Sequence, residues 1–201
     1  MDRVGQWAAG NSYGPVLSQT DLYLLKDVQL KIHPILLNQD DSFQISFNMS
    51  TGRSYTSYSE EHTLPFTSKD EPATLPRVSE LMLITKASPW MTVVKNPDGV
   101  VLADIFEALY KDYQNEVTQR EFEALSPRSQ DILRRYTAQR AQSGVWSGQP
   151  YPPQYSPNRF KRYDWLLDKQ YFDSMEREDR YAIQRLGFAA PNIFVVAFSG
   201  F

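Results

Sequence analysis

A chain of 201 residues, 41 % hydrophobic and 13 % aromatic, holds enough apolar side chain for one sizeable core, which excludes wholesale disorder. Its 21 basic and 24 acidic residues leave a net charge of −3, which argues against a generic polyanion binder and against a polybasic membrane anchor. Without cysteine there are no disulfides, cysteine-held metal sites or thiol nucleophiles, and two histidines, His33 and His62, leave little for metal or triad chemistry.

The first residues contain no apolar run that could act as a secretory signal. The longest strongly apolar stretch, residues 193–198, is about a third of what a bilayer demands. A soluble chain of the cytoplasm, with the nucleus left open, is the expectation, and the glycosylation-type triplet Asn48-Met49-Ser50 then counts as a chance match. Residues 1–20, rich in Gly, Ser, Asn and Gln, read as a flexible arm ahead of a single domain over 21–201. Trp7 could pack back onto that domain or stand exposed.

Ile35-Leu36-Leu37 is a short apolar run after His33-Pro34, and Phe43, Ile45 and Phe47 alternate with Gln44 and Ser46. Period two with aromatic and β-branched residues predicts a strand with one buried face. Residues 49–76 are polar, carry Thr51-Gly52 and three prolines, and read as a long connection. Leu81 and Leu83 alternate with Met82 and Ile84, Ser88-Pro89 interrupts, and residues 90–94 resume a strand pattern. Asn96-Pro97-Asp98-Gly99 is a turn, because proline presets φ and glycine supplies a positive one. Beyond it Leu102, Ile105, Phe106, Leu109, Tyr110 and Tyr113 recur at helical spacing, one apolar stripe over three turns. The strand–turn–strand–turn–helix block resembles one half of a β-grasp sheet, a likeness of fold that licenses no function.

Thr118-Gln119-Arg120-Glu121 is a capping box, with Val117 and Phe122 placed for a hydrophobic staple. Ser126-Pro127 opens another helix, whose apolar face is Ile132, Leu133 and Tyr136. A last helix is expected from a Ser174 cap through Met175, Asp179, Ala182, Ile183 and Leu186, closed by Gly187 with Phe188 after it. Residues 192–198 end the chain as a buried strand. The sum is an α+β fold: a small, mainly antiparallel sheet with three to four helices packed on one face. Residues 143–158 stand apart as a Pro/Tyr-rich loop that neither helix nor central strand can accommodate.

Catalytic patterns are sparse. No phosphate-cradling glycine loop and no His-Glu-x-x-His stretch occurs. His33 reads as a strand-edge residue and His62 as a loop residue, and no catalytic, cofactor or metal residue is assigned. Asp164 and Asp168 flank Trp165-Leu166-Leu167, and an apolar wall beside a carboxyl is what a hydrolase working through a carboxylate pair would need. Residues 128–162 carry Arg128, Arg134, Arg135, Arg140, Arg159, Lys161 and Arg162 against only Asp131, interleaved with Tyr136, Trp146, Tyr151, Tyr155 and Phe160. That composition suits a single-stranded nucleic acid, although helix arginines also complement the macrodipole and acidic neighbours. Pro152-Pro153-Gln154-Tyr155 has the Pro-Pro-x-Tyr form read by WW domains, which take a preformed polyproline II segment into an aromatic groove. Pro152, Pro153 and Tyr155 are therefore the candidate partner-binding residues, and a WW-type protein the candidate partner.

Several segments follow one another in a particular order: His33-Pro34-Ile35-Leu36, Pro72-Ala73-Thr74-Leu75-Pro76, Leu81-Met82-Leu83-Ile84, Pro89-Trp90-Met91-Thr92-Val93 and Gly99-Val100-Val101-Leu102-Ala103-Asp104-Ile105-Phe106-Glu107-Ala108-Leu109. Val117-Thr118 with Glu121, Tyr136 with Arg140, and Arg162-Tyr163-Asp164-Trp165-Leu166 with Phe172 come after them. In order and spacing the chain resembles, over about residues 32–198, a family of uncharacterised domains abundant in basidiomycete fungi, a domain of unknown function. Phe43-Gln44 stands where that family commonly shows Trp-Asp, and Asp173-Ser174-Met175 where a Gly-Leu pair often follows the C-terminal Phe. The resemblance implies no activity, ligand or catalytic residue. With no assembled nucleophile, metal or phosphate chemistry, a non-enzymatic protein-interaction module is the leading expectation. A hydrolase using Asp164 and Asp168, and a single-strand binder working through residues 128–162, are the alternatives.

Overall fold

A computed structural model describes residues 6–10, 14–25, 28–38, 45–55, 68–144 and 160–200. Short elements come first: α1 (Gln19–Leu24), β1 (Lys31–Ile32), α2 (Pro34–Leu37), β2 (Ser46–Phe47), β3 (Ser54–Tyr55) and β4 (Thr74–Leu75). β1 pairs with β4 and β2 with β3, both antiparallel. The main sheet follows, with β5 (Glu80–Thr85), β6 (Met91–Lys95), β7 (Tyr171–Glu176) and β8 (Ile193–Ser199) in the order β6-β5-β8-β7. Its outer pairings are antiparallel and its central pairing, β5 with β8, is parallel. The mainly antiparallel α+β architecture expected from the sequence is thus present.

The central strands read as unbroken apolar runs because both of their faces are covered. Leu81, Leu83, Phe194 and Val196 enter the larger core, while Met82, Ile84, Ile193 and Val195 form a second, smaller cluster with Ala182. The larger core is closed by α3 (Leu102–Tyr113), whose Leu102, Ile105, Phe106, Leu109 and Tyr113 are all buried, as the stripe predicts. α4 (Gln119–Glu123) and α5 (Pro127–Gly144) add Phe122 and Leu133 to it, and α6 (Arg162–Trp165) is followed by buried Leu166. α7 (Asp179–Leu186) supplies Ala182 to the cluster on the opposite face. A β5–β6 hairpin, four helices and an antiparallel β7–β8 pair joined through α7, with the first and last strands parallel at the centre, give the strand order found in a β-grasp sheet.

Local signals place the helix starts correctly. Thr118 Oγ1 accepts from the Glu121 amide at 3.3 Å, and Glu121 returns to accept from the Thr118 amide at 2.7 Å. Val117 and Phe122 are buried around that box. Pro127 begins α5, with Ser126 Oγ accepting from the Ser129 amide. Gly187, at φ 85°, ends α7 in the left-handed region that glycine enters without strain.

Other expectations are corrected. Ser174 is not a helix cap: it lies within β7, and α7 begins at Asp179 behind Glu178. The physical cause is a register shift between Phe172 and Ser174 in the β7–β8 ladder. The bulge sets the two buried residues Phe172 and Met175 three apart, which imitates a helical period in a strand. Pro34–Leu37 is a turn of helix, and His33 both directly follows β1, its amide donating to the Ala73 carbonyl, and caps that helix. Ile132 and Ile183, assigned to apolar faces, are 42 % and 53 % exposed. Asn48 is buried, and its Oδ1 accepts from the Ser50 and Thr51 amides, which explains the Asn-Met-Ser triplet as a turn. Near the N-terminus Leu17 bridges to Val78, Arg77 reaches the Gly14 carbonyl, and Trp7 packs edge-on against His33 at 4.6 Å.

Candidate functional site

The two edges of the main sheet are treated differently. Beside β7, Asn48 bridges to Tyr171 and the Met49 amide donates to the Gln170 carbonyl, and the strand itself carries the bulge. Among the described residues β6 pairs with β5 alone. The Asn96 amide donates to the Ser79 carbonyl, while Met82, one strand in, donates to Asn192 beside β8. Antiparallel ladders alternate bonded and non-bonded pairs, so Thr92 and Val94 turn their backbone groups to β5. Met91, Val93 and Lys95 turn theirs outward. No strand meets them among the described residues.

The same alternation sorts the side chains. Val94 and Thr92 point into the large core and are buried, whereas Met91 and Val93 stand 41 % and 38 % exposed on the other face. Under the outward edge runs one flank of α3, bearing Asp104, Glu107, Ala108, Lys111, Asp112 and Asn115. Strand edge and helix flank enclose a groove of about 570 Å³, with the small Ala108 midway along its wall.

Polar contacts fix α3 against β6. Asp104 accepts from the Val101 amide at 2.9 Å, capping the helix, and from Asn96 Nδ2 at 2.7 Å. Asp112 accepts from Thr92 Oγ1 at 2.7 Å and pairs with Arg162, whose guanidinium lies 4.8 Å above the Trp90 ring. Trp90 donates to Glu121 at 2.6 Å and meets Trp165 edge-on at 4.9 Å. Tyr113 shares a hydrogen bond of 2.7 Å with Ser88, and its burial pushes the phenol well above its ordinary range, so it stays protonated. Burial also pushes the Glu121 carboxyl up, but the Trp90 indole, the Thr118 amide and hydroxyl and the Arg162 charge outweigh it, and the net shift is downward. A web of this kind holds the strand edge and helix flank in fixed relation, which is what a preformed groove requires. Glu107 and Lys111 have no ion-pair partner among the described residues.

The residues singled out from the sequence lie elsewhere. Pro152, Pro153 and Tyr155 fall outside the described residues, as does His62. Asp164 is buried and accepts from the Lys161 amide at 2.9 Å, capping α6, while Asp168 is exposed in the following turn. Neither lines the groove. In the basic segment Arg159 is outside the described residues, Arg162 pairs with Asp112, Lys161 donates to Gln114, Arg135 pairs with Asp131, and Arg134 stacks over Phe122. Most of its described cations are therefore already engaged within the fold. His33 is buried, its Nδ1 accepting from the Ile35 amide at 3.2 Å and its Nε2 bonded to Glu71 at 2.9 Å. Burial lowers its pKa, partly offset by the hydrogen bond and charge of Glu71.

No group of three His, Asp or Glu side chains among the described residues converges to hold a metal, and no described helix is long and apolar enough to cross a membrane. The groove itself escaped sequence reasoning. Its one legible trace is the alternation in residues 91–95, which says that Met91, Val93 and Lys95 share a face but not that they share an open edge. Among protein families, the model of a Family of unknown function (DUF6699) matches residues 42–181, within the span where the resemblance was noted. No curated protein and no solved structure matches.

Proposed function

The chain belongs to the Family of unknown function (DUF6699), and we propose that it is a non-enzymatic protein-interaction module that takes up an extended strand along β6. The observation that carries this is the β6 edge, which no strand pairs among the described residues, lying over the groove beside α3. Strand addition draws affinity from main-chain hydrogen bonds and specificity from pockets that receive alternate side chains. Met91, Val93 and Lys95 offer the first, and the groove wall around Ala108 offers room for the second. Hydrogen exchange on the full chain, with linear peptides selected from a displayed random library, tests the proposal. Protection gained at the Met91, Val93 and Lys95 amides is expected. Selected peptides that protect other amides and leave these three unchanged would overturn it.

The Pro-Pro-Gln-Tyr segment supports a second docking element within the same reading. Its prolines are preset for polyproline II, and so short a segment binds a WW groove at micromolar strength, about −7 to −8 kcal/mol. Tyr155→Ala is expected to abolish heat in calorimetry against a WW-domain panel while leaving the melting temperature unchanged. A destabilised variant, with no WW domain bound by the wild type, assigns the segment to packing instead. The fungal origin and cytoplasmic location expected from the sequence belong to this proposal too.

A further inference from the structure

We propose that the strand seated on β6 is β6 of a second copy of this chain, paired antiparallel about a two-fold axis through Val93. The inference rests on the strand-addition reading and names its occupant. Outward backbone groups belong to Met91, Val93 and Lys95, a set symmetric about its middle member. Antiparallel self-pairing centred on Val93 sets Val93 against Val93 and Met91 against Lys95. Every outward N–H and C=O of those residues then meets its complement without any slip in register, the isologous arrangement a two-fold demands.

Charge agrees with that geometry. The Asn96–Asp104 and Thr92–Asp112 bonds run α3 back along β6, so residue 93 lies level with the stretch between Glu107 and Lys111. The axis therefore brings the two α3 flanks together antiparallel, Glu107 of one copy opposite Lys111 of the other. Neither has an ion-pair partner among the described residues, whereas Asp112 pairs with Arg162 and Asp104 is held by Asn96 and the Val101 amide. Edge strands that stay single are usually guarded by a bulge, a proline or a charge turned inward. β7 has its bulge and its covering residues, whereas β6 has neither bulge nor proline. Its one charge, Lys95, sits at the strand end tied to Glu80 at 3.0 Å. On the outer face, exposed Val93 side chains meet across the axis, with Met91 beside them.

Two five-residue strands and part of a helix flank bury less than the roughly 1,200–2,000 Å² of a standard stable interface, so the dimer is concentration-dependent. Sedimentation of the full chain from about 1 to about 500 µM is expected to show the mean mass rising from monomer toward dimer. Val93→Pro removes an outward N–H but no bond of the β5 ladder, and is expected to raise the dissociation constant at least about tenfold. Val93→Lys, which sets like charges face to face, is expected to do the same and serves if the proline variant does not fold. Glu107→Lys alone weakens association, and Glu107→Lys with Lys111→Glu restores it. A wild type that stays monomeric, or a dimer indifferent to both Val93 variants, overturns the proposal. Peptide-induced protection of the Met91, Val93 and Lys95 amides in a strictly monomeric protein would sink this proposal while leaving strand addition standing. If both readouts are negative, both fall.

Discussion

Truncating Phe106 to alanine measures how firmly the groove wall is anchored. Phe106 is 5 % exposed and sits between Phe47 at 5.1 Å and Phe172 at 5.2 Å, so one ring ties α3 to β2 and to β7. Buried Phe→Ala changes cost about 3–5 kcal/mol, the transfer loss plus the cavity left behind. Each aromatic neighbour adds about 0.5–1.5 kcal/mol beyond area, and both are lost together, which sets the expected loss in the upper half, about 4–5 kcal/mol. For a chain of this size that lowers the melting temperature by about 8–20 °C. Phe106→Leu keeps most of the volume and gives up only ring geometry, so it is expected to cost about 1.5 kcal/mol or less. Urea melts followed by far-ultraviolet dichroism yield both values, with the slope m unchanged. A loss for the alanine variant below about 2 kcal/mol, at unchanged m, would refute the packing of α3 onto the β2–β7 side of the core.

Two further variants probe titratable groups. His33 is depressed below the ordinary 6.5, so its contribution is present above that value and is lost as pH falls through the lower folded value. Protonation would set an N–H at Nδ1 against the Ile35 amide; His33→Asn keeps a capping acceptor with nothing to titrate. Urea melts at about pH 7.5 and about pH 5.5 are expected to show a smaller loss of stability for the asparagine variant, and equal losses would dissociate His33 from the effect. Glu121, held below the ordinary 4.5, contributes stability that is present above 4.5 and disappears as pH falls below it. Glu121→Gln removes the titrating charge and leaves one acceptor oxygen for the Trp90 indole and the Thr118 amide, so it is expected to lower stability above 4.5 and to flatten the acid limb of the pH profile. An unchanged acid limb in thermal melts contradicts that assignment.

Much of the fold was legible because it is governed by neighbours in the chain. The stripe on α3, the box at Thr118 and Glu121, Pro127 at the start of α5, Gly187 after α7 and the alternation in residues 81–84 each depend on contacts a few residues long. Tertiary structure decided the rest. Ser174 and Met175 belong to a strand rather than to the start of a helix because β8 offers them a ladder, with a bulge absorbing the extra residue before them. Asp164 carries chemistry that sequence alone leaves open between backbone cap and catalyst, and its bond to the Lys161 amide makes it a cap. The β6 edge leaves only a faint local trace. Alternation in residues 91–95 marks one exposed face, whereas the edge is set by the lack of a second neighbouring strand among the described residues and by the helix flank that long-range packing brings beneath it.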